Sequence, residues 1–142
     1  MLRKFLINIH QYRTASYLII LFATATHSIG YPQEIDCSNF KKGTFFYTPP
    51  NGGEVWIKRT HKKQIEKYND ENQRFIFKIT WDSNCEYTLV LRKTKGVDRS
   101  KKKEIIGTTL KCKVLKAELD HYLVTLTPNN VSSPQTMTIY KK

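Results

Sequence analysis

The sequence has few acidic residues and no long apolar run. Its 142 residues contain 12 Asp and Glu against 24 Lys and Arg, which gives a formal net charge of +12. A positive charge of this size favours anionic partners, although a lysine-rich surface also serves solubility alone. The apolar run Tyr17–Ala25 is about half of the ~20 residues that a transmembrane helix requires. Its length therefore argues against a mature membrane-spanning helix.

Motifs that mark common enzymes and metal sites are also missing. There is no G-x-x-x-x-G-K-[ST], H-E-x-x-H or G-x-S-x-G sequence, which argues against P-loop nucleotide binding, zinc proteases and serine hydrolases. No C-x-x-C pair occurs, and His61 and His121 are isolated beside turns. The acids lie among lysines, as Glu66 and Glu104 do, and are expected to form exposed ion pairs. We therefore expect a non-enzymatic protein with no catalytic residues, no metal and no cofactor.

The N-terminal segment has the order of regions typical of a secretory signal peptide. Arg3, Lys4 and Arg13 precede the apolar run, and small residues around Ala23 and Ala25 follow it. The sequence predicts a signal peptide over residues 1–30, with an uncleaved anchor as the alternative, and a single domain over residues 31–142. Without the leader the charge is 12 − 3 = +9. The expected location is the periplasm, the cell envelope or the extracellular space.

Only three cysteines are present, so one of them remains unpaired if the other two form a disulfide. Cys37 lies before the first predicted strand, and Cys85 follows the turn-like Asp82-Ser83-Asn84. Cys112 lies within a predicted strand, in phase with Leu110 and Val114, where a reduced cysteine behaves as a small apolar residue. We therefore favour a Cys37–Cys85 disulfide and a free Cys112.

After Cys37 the pattern alternates between short strands and turns. In the segment 74–81, Phe75, Phe77, Ile79 and Trp81 recur at every second position, which is the period of a half-buried strand. About eight such strands with short connections predict an all-β fold. We expect a small antiparallel up-and-down barrel, with a two-layer β-sandwich as the alternative. Lys93–Lys103 is predicted to be a basic loop at a hairpin tip.

Several large apolar side chains fall on in-phase faces of neighbouring strands. An eight-stranded barrel is just wide enough to be filled by side chains or to enclose one small ligand. These residues line either a ligand cavity or a packed core: Phe75, Phe77, Trp81, Tyr87 and Leu89.

Two stretches resemble a known group of proteins. Cys37–Tyr47 (CSNFKKGTFFY) and Ile79–Leu91 (ITWDSNCEYTLVL) are similar to segments of small exported proteins common in Bacteroidota, and Ile105–Leu115 resembles a later strand of that group. The resemblance implies a lipocalin-like fold of uncharacterised function, with Cys37 and Cys85 as the group's recurrent cysteines and Cys112 as an addition. Members are sometimes labelled DNA topoisomerase IV, but a domain of this size has no room for that enzyme's machinery.

Two functions follow as hypotheses. The first is an exported binding module that holds a small apolar or amphipathic ligand in its barrel. The alternative is a basic surface protein that binds anionic envelope components or an acidic protein partner through Lys101, Lys102 and Lys103. No specific recognition of nucleic acid is expected in either case.

Overall fold

The structure is a computed structural model that describes residues 34–68 and 72–142. Eight strands follow a short 3₁₀ helix, and one α-helix lies between the fifth and sixth strands. The 3₁₀ helix is Ser38–Phe40; the strands are β1 (Gly43–Tyr47), β2 (Val55–Arg59), β3 (Lys63–Tyr68), β4 (Arg74–Trp81), β5 (Glu86–Lys95), β6 (Thr109–Ala117), β7 (His121–Pro128) and β8 (Gln135–Lys141), and the helix is α1 (Arg99–Ile105). The predicted signal peptide lies outside the described residues.

The eight strands form a closed, antiparallel, up-and-down barrel. Each strand pairs with the next, and β8 returns to β1 through the register Phe45↔Lys141 and Phe46↔Tyr140. The predicted lipocalin-like barrel is confirmed, and the sandwich alternative is wrong. Closure provides every strand with two neighbours, so no strand presents an unpaired edge.

Alternation of side chains decides which residues face the barrel interior. In β5, Tyr87, Leu89 and Leu91 are buried while their neighbours are more exposed. The pairing with β4 shifts between Ile76 and Phe77, so β5 carries one additional residue at this point. Such a bulge changes the phase of the strand. As a result, Thr94 is buried three positions after Leu91.

The segment before β1, residues 34–42, closes one end of the barrel. Phe40 is fully buried there, with its ring centroid 4.6 Å from that of Tyr122. Cys37 forms a disulfide with Cys85 in the turn between β4 and β5, which confirms the predicted pairing. We call this end of the barrel the closed end. The opposite end carries α1, and we call it the cavity end.

The basic segment Lys93–Lys103 is not the loop that the sequence predicted. Its first residues continue β5 to Lys95, and α1 begins at Arg99. Lys102 and Lys103 lie in the last turn of α1, where positive charge interacts favourably with the helix dipole. Gly107 follows the helix with a φ of 91°, a conformation that glycine adopts without the steric cost of a side chain. Within the described part of the chain, no helix is long and apolar enough to span a membrane.

Candidate functional site

A cavity of about 300 Å³ occupies the half of the barrel that lies away from the closed end. Most of its lining is apolar or aromatic, with contributions from all eight strands and α1. The apolar and aromatic lining residues are Tyr47, Ile57, Tyr68, Phe75, Phe77, Tyr87, Leu89, Leu91, Ile105, Leu110, Leu126, Pro128, Met137 and Ile139. The polar ones are Gln64, Glu66, Thr108 and Gln135.

Exposure of the lining residues increases from the middle of the barrel towards the cavity end. Tyr87, Leu89 and Ile139 are buried, Met137 is half-buried and Gln135 is exposed. This gradient indicates that the cavity opens at the end that carries α1. Its volume is at the lower limit of the roughly 300–1,000 Å³ that is typical of small-molecule sites.

Four of the five residues proposed to line a cavity or core do line this cavity: Phe75, Phe77, Tyr87 and Leu89. Trp81 does not, because it is the last residue of β4 and lies at the closed end. Its ring centroid is 4.8 Å from that of Tyr87, and Lys41 Nζ lies 5.3 Å above it. Trp81 therefore belongs to the packing of the closed end.

Arg59 is buried between the closed end and the cavity, with 2% of its surface exposed. Its Nη1 donates to the carbonyl oxygen of Phe40 (2.9 Å), and its Nη2 donates to the hydroxyl of Tyr87 (3.2 Å). The guanidinium carbon also lies 5.1 Å from the ring centroid of Phe45 and 4.8 Å from that of Tyr87. Burial by itself lowers the pKa of the Arg59 guanidinium. Nearby oxygens, above all that of Tyr122, raise it by more, so the pKa lies above its ordinary value. The side chain is therefore cationic.

Gln64 connects this cation to a buried carboxyl group. Its Oε1 accepts a hydrogen bond from Arg59 Nε at 2.7 Å, and its Nε2 donates one to Glu66 Oε1 at 2.7 Å. The other oxygen of Glu66 accepts from the hydroxyl of Tyr47 at 3.4 Å, and that hydroxyl lies 3.5 Å from the hydroxyl of Tyr68. A polar chain thus runs along one side of the interior, from the closed end into the cavity.

Burial sets the protonation behaviour of this chain. It raises the pKa of Glu66, and this effect outweighs the hydrogen bond from Gln64 and the charge of Arg59, which lower it. Burial likewise raises the pKa of Tyr47, and the negative charge of Glu66 raises it further. Tyr47 therefore remains a hydroxyl that can donate to the carboxyl group.

The expectation that Glu66 forms an exposed ion pair is wrong, since only 9% of its surface is exposed. It alternates with Ile65 and Lys67, so its neighbours in sequence do not share its environment. Arg59 and Gln64 were not among the predicted site residues. Their positions contained a usable signal, because Arg59 is in phase with the inward Val55 and Ile57 of β2.

Lys101, Lys102 and Lys103 of the basic segment lie on α1, and all three are exposed. The same helix ends with Ile105, which lines the cavity, and is followed by Ile106, which is 39% exposed. The structure thus places Lys101, Lys102 and Lys103 on the outside of the element that borders the cavity.

Cys112 is buried and is not part of a disulfide. Burial raises its pKa to about 12, so its thiol is protonated at neutral pH and a poor nucleophile. In residues 34–68 and 72–142, no group of three or more His, Cys, Asp or Glu side chains is arranged to hold a metal ion. His121 is paired with Asp120 at 2.8 Å.

Comparison of the chain with protein-family models, with curated proteins and with solved structures finds no match, so the site is interpreted from its own geometry and chemistry.

Proposed function

We propose that this chain is an exported, non-enzymatic binding protein that holds a small apolar or amphipathic ligand inside its barrel. The observation that supports the proposal is the cavity of about 300 Å³ with its largely apolar lining. Transfer of apolar ligand surface from water into such a cavity is favourable, at roughly 25 cal/mol for each Å² removed. A preformed, concave, mostly apolar site with few polar groups is the usual form of a small-molecule site.

A binding role suits the polar groups of the cavity better than catalysis does. General acid–base chemistry commonly uses two titratable groups whose surroundings separate their pKa values. Among the described residues that line the cavity, Glu66 alone carries a carboxyl group, and its hydrogen bonds go to Gln64 and Tyr47. This arrangement positions a polar contact for a ligand.

Export is supported by the disulfide between Cys37 and Cys85. Disulfides persist in oxidising compartments and are rare in the cytosol. The charged, apolar and small-residue order of residues 1–30 supports the same proposal. The resemblance to small exported Bacteroidota proteins agrees with it and suggests the periplasm or the cell envelope.

Blocking the cavity tests the proposal. 1-Octanol, a small neutral ligand, is titrated by isothermal titration calorimetry into the wild type and into Met137→Trp, which places a larger side chain in the half-buried part of the lining. Thr138→Trp is the matched control, because Thr138 is the next residue of β8 and does not line the cavity. We expect saturable binding to the wild type and to Thr138→Trp, and at least a tenfold loss for Met137→Trp. Equal binding to all three proteins, or none to the wild type, contradicts the proposal.

A second candidate function is favoured by one observation: Lys101, Lys102 and Lys103 are all exposed on the outside of α1. This helix is proposed to bind the anionic surface of the cell envelope. Vesicles with anionic lipid should retain the protein at low salt and release it at high salt. Reversal of the three lysines to Glu should abolish retention.

The matched control for that experiment reverses three exposed lysines on strands, Lys58, Lys67 and Lys78. The two triple variants have the same net charge, so any difference between them reflects position. Equal retention of both variants shows that only overall charge matters and contradicts a role for α1.

A further inference from the structure

Glu66 differs from the rest of the cavity lining in its charge. Among the described lining residues there is no Lys, Arg, His or Asp, and Glu66 is the only acid. The protein as a whole carries twice as many basic as acidic residues. A carboxyl group with 9% exposure is costly to bury without partners, so its position in this cavity requires an explanation.

The hydrogen bonds within the protein use only part of the capacity of this carboxyl group. One bond comes from Gln64 at 2.7 Å, and the other comes from Tyr47 at 3.4 Å, which is long for a bond between oxygens. An ionised carboxylate offers about four lone-pair sites. Glu66 therefore retains acceptor capacity next to the cavity, which it lines.

Arg59 does not satisfy that capacity directly. The amide of Gln64 lies between the two groups, with its oxygen towards Arg59 and its nitrogen towards Glu66. Arg59 is itself engaged with Phe40 and Tyr87 and does not line the cavity. A ligand inside the cavity would thus meet the carboxyl group of Glu66 without meeting a cationic side chain among the described lining residues.

We propose that the cavity selects amphipathic ligands whose polar head is an ammonium group, with Glu66 as its acceptor and with the apolar body of the ligand among side chains such as Leu126 and Met137. This inference rests on the proposed binding function. An ammonium head contributes hydrogen-bond donors and a charge opposite to that of the carboxylate. A ligand with a carboxylate head at the same place would be repelled by the negative charge of Glu66. The described lining residues also offer that head no cationic side chain.

The size of the cavity sets the size of the test ligands. At about 30 Å³ for each water-sized group, a volume of about 300 Å³ accommodates on the order of ten non-hydrogen atoms. 1-Octylamine, 1-octanol and octanoate are of this size, and they share one alkyl chain while differing in the head group. Differences in their affinities therefore report on the contact made by the head.

The experiment measures the affinity of the three ligands by isothermal titration calorimetry near pH 8. For the wild type we expect octylamine to bind most tightly and octanoate least tightly. Glu66→Gln keeps the shape and removes the charge, and we expect it to weaken octylamine binding on the order of 10- to 100-fold while octanol changes less than threefold. Glu86→Gln is the matched control, because Glu86 is an acid that does not line the cavity and is paired with Lys113. It should leave all three affinities unchanged.

The outcomes separate this inference from the proposed function. If octanol binds the wild type and octylamine binds no more tightly, or if Glu66→Gln leaves octylamine affinity unchanged, the ammonium preference is wrong while ligand binding stands. If none of the three ligands binds, the proposed function itself fails. The ranking in the wild type needs no variant, so the inference remains falsifiable even if Glu66→Gln does not fold.

Discussion

The guanidinium of Arg59 is a positive charge in the interior of a small barrel, and its surroundings satisfy it without a direct carboxylate partner. A carbonyl oxygen, an amide oxygen and a hydroxyl accept its hydrogen bonds, and the faces of aromatic rings complete its environment. Hydrogen bonds and ring faces both compensate a buried cation. Because Phe40 is one of these partners, the side chain also attaches the segment 34–42 to the barrel wall.

Removal of this charge should destabilise the barrel. Arg59→Met keeps an apolar stem but leaves the oxygens of Phe40, Gln64 and Tyr87 without their donors. We expect the free energy of unfolding in urea to fall by about 3 to 5 kcal/mol. Lys58→Met is the control: Lys58 is exposed, and its substitution should change stability by less than about 0.5 kcal/mol. A loss for Arg59→Met no larger than that of the control would contradict the role given to Arg59.

Glu66 should make stability depend on pH in a defined direction. Burial raises its pKa in the folded protein above the ordinary value of 4.5. As the pH rises above 4.5, the unfolded chain therefore releases this proton before the folded protein does, and stability falls with pH. We expect the free energy of unfolding of the wild type, relative to Glu66→Gln, to decrease between about pH 4 and pH 8. Denaturation of both proteins in urea at several pH values measures this difference. An increase of the difference over this range would show that folding lowers the pKa of Glu66 instead.

At the scale of elements, the disulfide connects the segment before β1 to the turn between β4 and β5, across 48 positions of the chain. A disulfide that closes a loop of this length in the unfolded chain stabilises the folded protein by about 4 kcal/mol in the chain-entropy description. The double substitution Cys37→Ala, Cys85→Ala should lower stability by about this amount. Thiol titration provides the complementary test.

The unfolded, unreduced wild type should contain one reactive thiol, that of Cys112, and the folded protein should contain none because Cys112 is buried. Three reactive thiols in the unfolded wild type would show that the disulfide does not form.

At the cavity end, Gly96, which follows β5, lies close to the backbone of Asn72, which precedes β4. A Cβ at this position would lie 2.7 Å from the backbone oxygen of Asn72, and the φ of Gly96 is 69°. Gly52 has a similar φ of 83° but open space around it. We expect Gly52→Ala to cost roughly 1–2 kcal/mol for the left-handed conformation and Gly96→Ala to cost distinctly more. Equal losses in thermal or urea unfolding would mean that the contact with Asn72 is unimportant.

Period-two alternation of apolar residues made most strands predictable, but it predicted neither the helix α1 nor the buried polar residues. The strand around Phe75 and Phe77 is evident because its apolar residues alternate. α1 was missed because its Lys-rich sequence has no apolar face, so its helical period leaves no hydrophobic signal. Glu66 was misplaced because flanking lysines suggested solvent. Its partner Gln64 lies two residues earlier on the same strand, and the pairing of β2 with β3 places Arg59 opposite Gln64.

Over the barrel as a whole, the two ends differ in what they contain. The closed end contains the disulfide and Phe40, and Arg59 lies next to it; together they fix the segment 34–42. The cavity end has α1 beside the opening and the less buried lining residues. In the proposed function, the cavity end is the end at which a ligand enters.

Nuclear magnetic resonance with labelled methyl groups tests ligand binding inside the barrel most directly. 1-Octanol is neutral, so its binding does not depend on the preference proposed for Glu66. We predict nuclear Overhauser effects between its alkyl protons and the methyl groups of the cavity residues Leu110, Leu126 and Met137, and none to the exposed Leu115. Effects confined to outward-facing methyl groups, or their complete absence at saturating octanol, would show that the interior is a packed core and not a binding site.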